Sequence, residues 1–207
     1  MARITSPICR KCRREGKKLF LKGERCFSPK CAFIRTSYAP GAHGASNRSR
    51  LTEYGTQLRE KQKAKITYGI LEKQFRKYYD QMIKSKKVFT LLSLVERRLD
   101  NVIYRLGIAA SRRSARQMVL HKKFFVNGKK INIPSYQVKV GDVISIKNAD
   151  GDKEIIKEIK NNQKRVTPVS WLKFNPDSLT AEVTSVPMTE DIGEDINERL
   201  IVEYYSR

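Results

Sequence analysis

Acidic residues are scarce over the first 130 positions of this 207-residue chain, where 8 Asp and Glu stand against 33 Lys and Arg. Residues 131–207 reverse the balance, with 13 acidic against 10 basic, and the whole carries a formal net charge of +22. Charge concentrated in one part argues against a merely solvated basic surface and for a polyanionic partner, nucleic acid first. A membrane surface ranks second and lacks support, because there is no strong basic amphipathic anchor. No run is apolar and long enough to span a bilayer, and Met1 to Pro7 lack the apolar core of a signal peptide, so a cytoplasmic protein is expected. Cysteine is absent after Cys31, which leaves no thiol nucleophile beyond one cluster. No glycine motif of a phosphate or dinucleotide loop occurs either, and no small-molecule substrate is expected. Hydrophobic residues still make up 40% of the chain, so a packed core is expected and wholesale disorder is not.

The four cysteines fall as Cys9-x-x-Cys12, thirteen residues, Cys26, four residues, Cys31. A pair two residues apart sits on one tight turn and presents both sulfurs to one point; a second close pair completes a tetrahedron, which suits structural zinc. Arg10, Lys11, Arg13, Arg14 and Arg25 nearby favour thiolates. Two disulfides or four idle thiols are the plainer alternatives, with disulfides a poor fit to a cytoplasmic chain. Iron–sulfur ligation ranks behind zinc. With all four positions filled by sulfur, the site is expected to be structural. His43 is a conceivable substitute ligand, though a loop histidine touching backbone or phosphate fits better. His121 is expected at a helix end, near the terminal carbonyls.

Thr52 reads as the cap of a helix running past Leu58 and Gln62 to Ile66, its surface carrying Arg59, Lys61, Lys63 and Lys65. Gly69 interrupts, and Leu71, Phe75, Tyr78, Tyr79 and Met82 share the next helical stripe, with Leu71, Phe75 and Tyr78 assigned to core. Leu92, Val95, Leu99, Val102, Ile103 and Leu106 keep helical spacing up to a stop at Gly107. Ser111 then caps a shorter helix with Ala115, Met118 and Val119 inward. Arg112 and Arg113 lie at its positive end, where they disfavour the helix unless an external anion such as a phosphate joins them. Asn127-Gly128 marks a hairpin over Phe124 to Ile133. Gly141-Asp142 predicts a strand pair, Val138/Val140 with Val143/Ile144/Ile146. A turn is expected at Asn148–Asp152, a short helix with Ile155, Ile156 and Ile159, and a strand around Ala181–Val186. Tyr38, Tyr54 and Tyr68 are open to two roles, base stacking or core packing. Asp100 is explained by capping or by pairing with Arg97 or Arg105.

Motifs running nearly end to end carry a resemblance. They are Pro40-Gly41-Ala42-His43-Gly44, Leu51-Thr52-Glu53-Tyr54-Gly55, Gln57-Leu58-Arg59-Glu60-Lys61-Gln62-Lys63, Tyr68-Gly69, Gln74-Phe75-Arg76, Arg98-Leu99-Asp100-Asn101-Val102, Ala115-Arg116-Gln117, Val126-Asn127-Gly128, Ser135-Tyr136-Gln137-Val138 and Leu200-Ile201-Val202-Glu203-Tyr204-Tyr205-Ser206. With these, the chain resembles the bacterial-type small-subunit ribosomal protein S-four family, in its zinc-retaining form with Cys9, Cys12, Cys26 and Cys31 as ligands of one Zn2+. The resemblance implies an α+β protein: a cysteine module over 1–45, a basic helical domain over 46–90, an S4-type RNA-binding domain over 91–157 and an acidic extension over 158–207 packing back on the body. It implies a non-enzymatic, primary binder of 16S-type rRNA at a multi-helix junction, in the small ribosomal subunit, nucleating assembly of the subunit body and influencing translational accuracy. The expected rRNA-binding residues are Arg48, Arg50, Arg59, Lys61, Lys63, Lys65, Arg98, Arg112, Arg113, Arg116, Lys122 and Lys123. Neighbouring subunit proteins, protein S-five above all through the acidic part, are implied partners. So is mRNA where it enters, through a loop in which only Arg48 and Arg50 are basic and Ser46 and Asn47 stand where basic residues often occur. Many copies of the domain have Gly after the histidine, where this chain has Lys122. An rRNA- or tRNA-modifying enzyme borrowing the same domain is the alternative, disfavoured because no catalytic domain accompanies it.

Overall fold

A computed structural model of the chain describes residues 4–46, 50–85, 89–146, 159, 169–176, 178–188, 190–192 and 195–207. The chain divides into two compact units, Met1–Lys87 with Glu194–Arg207, and Val88–Gly193. Helices and an antiparallel sheet together make it α+β.

The first unit is helical. Helix α1 (Ile8–Glu15) ends on Gly16 at φ 64, a 3-10 turn spans Gly23–Cys26, and α2 (Ala32–Arg35) follows directly on Cys31. Helix α3 (Glu53–Tyr68) starts where Thr52 accepts a hydrogen bond from the Gly55 N–H at 3.1 Å. It ends on Gly69 at φ 67, with Ile70 N–H bonded back to the Lys65 carbonyl at 3.0 Å, the closing bond of a Schellman cap. Helix α4 (Glu72–Lys84) buries Phe75, Tyr78 and Met82, three positions of one stripe. Leu71 is not core: it is the residue before the helix and stays exposed, since its extended backbone turns it away from the stripe. The C-terminal apolar-aromatic run is helix α8 (Glu198–Ser206), capped by Asn197 and lying along α3 with Ile201 fully buried. Burying an isoleucine completely contributes roughly 1.5–3 kcal/mol.

In the second unit the apolar spacing from Leu92 to Leu106 covers two helices, α5 (Leu91–Glu96) and α6 (Leu99–Arg105). The break falls at Arg98, whose backbone is extended (φ −68, ψ 136) and pairs as an isolated bridge with Gln137. Ser111 caps α7 (Arg112–Leu120) by accepting from the Ser114 N–H at 3.2 Å. Ala115 and Val119 are buried on it, with Met118 packed alongside. Strands β1 (Phe124–Val126), β2 (Lys129–Ile131), β3 (Val143–Ile146), β4 (Leu172–Asn175) and β5 (Thr180–Val183) form one antiparallel sheet in the order β2-β1-β3-β5-β4. The hairpin register pairs Val126 with Lys129 across Asn127-Gly128. The strand pair expected about Gly141-Asp142 does not form. Val138 bonds instead to the Arg97 carbonyl, and β3 pairs with β1 and β5. Leu99, Val102, Ile103, Val119, Phe124, Ile144, Trp171 and Val183 belong to the core between helices and sheet. The turn expected at Asn148–Asp152 lies outside the described residues, as does the helix expected near Ile155, of which only Ile159 is described; it is buried.

Candidate nucleic-acid interface

The second unit organises its arginines around buried acids. Glu96, 1% exposed, accepts from Arg105 Nε at 3.0 Å and Nη2 at 2.7 Å, and from Asn101 Nδ2 at 2.6 Å. Arg105 also reaches the Ile192 carbonyl. Asn101 turns its carbonyl oxygen to Arg112 Nε at 2.8 Å, and the Arg112 guanidinium lies 4.4 Å from the Tyr104 ring centroid. Asp100 is held in a fork by Arg98, at 3.0 and 2.7 Å, and by Arg116 at 3.2 Å. Its partners are therefore Arg98 and Arg116 rather than Arg97 or Arg105. Arg97 donates to the Val138 carbonyl and Arg105 is taken by Glu96. An external anion is not needed to settle Arg112 at the start of α7, since Asn101 and Tyr104 already receive it. Buried ion pairs with every donor matched fix one geometry more than they add stability. Here they hold the start of α7 at a set angle to α6.

Exposed cations are mounted on this frame. Arg113 faces out from the first turn of α7, and Lys122 follows its end at φ 59, a conformation that costs a residue with a Cβ. Lys123 is half-buried. His121 is the exposed residue just past the helix. At the hairpin tip Asn127 and Gly128 have φ 50 and 74. The Asn127 side chain accepts from Val143 N–H at 2.9 Å and donates to Asp142 at 2.8 Å, which pins the tip to β3. Lys129 and Lys130, exposed, open β2 directly after this pinned turn. The Asn-Gly signal located that turn, but the two lysines beside it were not among the expected RNA-binding residues.

The first unit treats its cations differently. Lys61 and Lys63, expected on the surface of α3, are each 5% exposed. Lys61 bonds Glu72 at 3.1 Å with its ammonium 4.1 Å from the Tyr204 ring centroid, and Lys63 bonds Glu60 at 2.7 Å. Lys65 also bonds Glu72, at 2.5 Å. Burial raises the Glu72 carboxyl pKa, but the hydrogen bonds from Lys65, Tyr205 and Lys61 outweigh it and bring it from the usual value near 4.5 to about 2. Arg59 bonds Glu15 at 3.1 Å, and burial pushes the Glu15 carboxyl up against that attraction. Arg59 and Glu15 line a cleft of about 490 Å3 with Lys11, Arg14, Lys65 and Ile66. Arg50 is exposed, and Arg48 lies outside the described residues. Gly41 at φ 118 and Gly44, where a Cβ would meet the Ala39 carbonyl at 1.8 Å, shape the turn that exposes His43. Tyr68 is buried. Tyr54 is exposed against Tyr204, and Tyr38 is exposed under the Arg13 guanidinium.

All four cysteines line one cavity of about 20 Å3, closed by Ile8, Phe20, Leu21 and Phe33. Each carries a free thiol. Lys22 N–H donates to Cys26 Sγ at 3.3 Å. Burial pushes the Cys12 and Cys26 thiols up, with N–H donors from Leu19 and Lys22 working against it. Four soft donors with N–H bonds on two of the sulfurs are chemically suited to a structural zinc ion. The sulfurs surround the cavity without closing on it: among the described residues no three His, Cys, Asp or Glu side chains are grouped to hold a metal ion.

Two family models account for the chain from residue 3 to residue 144. One, described as the ribosomal protein S4/S9 N-terminal domain, matches residues 3–96, and one described as the S4 domain matches residues 97–144. Their junction falls between Glu96 and Arg97, at the break separating α5 from α6. The small ribosomal subunit protein uS4 of Heliobacterium modesticaldum is 53% identical over 209 aligned residues and all of both chains. That of Halothermothrix orenii is 53% identical and that of Clostridioides difficile 51%, again over the full length of each. With half its residues shared from end to end, this chain belongs to the family of small ribosomal subunit protein uS4.

Proposed function

We propose that the protein is a structural, rRNA-binding constituent of the small ribosomal subunit, acting by holding RNA shape and not by making or breaking bonds. The observation that carries this reading is half-identity over the full length with relatives that are ribosomal proteins and not enzymes. The geometry supplies the means. Arg113 on the first turn of α7, Lys122 just past its end, and Lys129 and Lys130 at the hairpin are exposed; buried ion pairs brace α6 and α7, and the Asn127–Asp142 hydrogen bond braces the hairpin. Cations set at fixed spacing on a stiff frame suit phosphates of a folded junction, where recognition is by backbone shape. Within this role we assign primary binding of 16S-type rRNA, nucleation of the subunit body, and contact of the acidic region with protein S-five, through which accuracy would be influenced. Arg50 is offered to mRNA near its point of access. Cys9, Cys12, Cys26 and Cys31 would hold one Zn2+, whose contribution is to cross-link α1 to the loops that follow. The support for it is their shared cavity and the chemistry of four thiols.

The test is a salt titration of binding to deproteinised small-subunit rRNA. Replacing Lys129 and Lys130 by Gln leaves the buried pairs intact. It should lower the slope of log affinity against log salt by about 0.7–0.9 for each phosphate no longer neutralised. An unchanged slope removes this surface from the interface.

A further inference from the structure

The cysteine module presents an aromatic surface that the cationic reading does not use. Phe20 and Phe27 stack with ring centroids 5.0 Å apart and planes 28° from parallel, and Phe27 is 58% exposed. Phe20, itself 37% exposed, lines the thiol cavity and stacks on Phe27. It also sits at φ 47. A bulky side chain in the left-handed region is strained, and glycine or asparagine would sit there more easily. Strain of this kind persists where the side chain is needed. Residues 1–45 hold 11 Lys and Arg against two acids, Glu15 and Glu24. The Glu15 side chain is shut away against Arg59. Lys18 lies 5.5 Å from the Phe20 ring centroid, and Arg25 and Lys30 are exposed two residues before and three after Phe27.

We propose that the Phe20–Phe27 pair is a stacking platform for one unpaired RNA base, with Arg25 and Lys30 taking the adjoining phosphates. The proposal rests on the rRNA-binding reading and adds a ligand to it. An exposed ring backed by a second ring presents its free π-face to a flat partner, and aromatic stacking accepts any base. A protein partner with an apolar patch would meet a surface crowded with cations, whereas a nucleotide brings the matching charge with the base. Anchoring the rear ring on the thiol cavity makes the platform rigid in advance of binding, which lowers the ordering cost.

Two variants of the full chain test this with deproteinised small-subunit rRNA. Phe27→Leu keeps most of the apolar area and removes the ring. It should weaken binding about tenfold with an unchanged salt slope, because it removes a stack and leaves every phosphate held. Phe27→Trp should bind as the parent does and lose emission when rRNA is added; the natural Trp171, 1% exposed in the other unit, supplies a constant background. Far-UV circular dichroism and a rate of thiol modification equal to the parent's show that each variant is folded. Full affinity of Phe27→Leu, or emission from Phe27→Trp that rRNA does not change, overturns the platform and leaves the exposed ring to a protein neighbour. If the slope still falls in the Lys129/Lys130 variant, the rRNA-binding reading survives that result. A parent protein that ignores rRNA sinks both.

Discussion

Lys122 combines an awkward backbone with a useful side chain. At φ 59 its Cβ costs on the order of 1 kcal/mol relative to glycine, yet its ammonium is exposed where α7 leads into β1. Lys122→Gly should raise stability to chemical denaturation by about 1 kcal/mol while lowering the salt slope of rRNA binding by about 0.7–0.9. Opposite signs in the two measurements are the signature of a charge kept at a conformational cost. A variant no more stable than the parent would show the backbone there to be unstrained. Asn127, at φ 50, differs because its amide is used by both Val143 and Asp142, so the strain is offset locally and the Asn-Gly turn could be read directly from the sequence. Lys61 and Lys63 could not be read this way. Nothing in the spacing of α3 reveals that Glu72 and the aromatic end of a helix more than 130 residues away will close over Lys61.

That closing element is α8, and its hold on the first unit is partly electrostatic. Tyr205 donates to Glu72 at 2.6 Å, and its ring lies 4.8 Å from that of Tyr79; burial first, then Glu72, raises its phenol pKa. Gln57 Nε2 donates to Glu203 at 3.2 Å. Glu72 thus gathers Lys61, Lys65 and Tyr205 as the ionised carboxylate. Its folded pKa lies below its unfolded one, so its contribution is complete above about pH 4.5 and disappears as pH falls through about 2. Glu72→Gln should therefore lower stability by about 1 kcal/mol or less at neutral pH, the carboxylate being half-exposed and screened. The gap between parent and variant should close on acidification below pH 4.5, as followed by thermal unfolding at several pH values. A gap constant from pH 7 to pH 2 would mean that charge plays no part in seating α8. Other elements were legible for local reasons. Thr52, Ser111 and Gly69 carry their cap chemistry with them, and period 3.6 located the apolar faces of α4 and α7. The break between α5 and α6 was hidden because apolar spacing runs straight through it. Tertiary bonds interrupt the helix there: Arg98 bridges to Gln137, and the N–H groups of Leu99 and Val138 bond the Tyr136 and Arg97 carbonyls.

At the scale of the molecule, two units with separate interiors have different sources of stability. The second has a continuous core from Leu99 to Val183 and Trp171 wholly inside it. The leading module of the first has short helices, Ile8 and Leu19 buried, and four thiols about a cavity. So few buried apolar side chains do not offset the entropy of ordering some forty residues. A metal cross-link of the kind that folds zinc-finger peptides, about 10–16 kcal/mol at neutral pH, is the term that would. Protein prepared without chelator should therefore contain about one zinc per chain and resist thiol reagents. A strong zinc chelator should release the metal, expose four reactive thiols and reduce the helical signal, while Trp171 emission stays that of a buried indole because the second core does not depend on the module. Metal-free protein with immediately reactive thiols and an undiminished helical signal would show that packing alone holds the cysteines together. The rear support inferred for the Phe20–Phe27 pair would then come from packing as well.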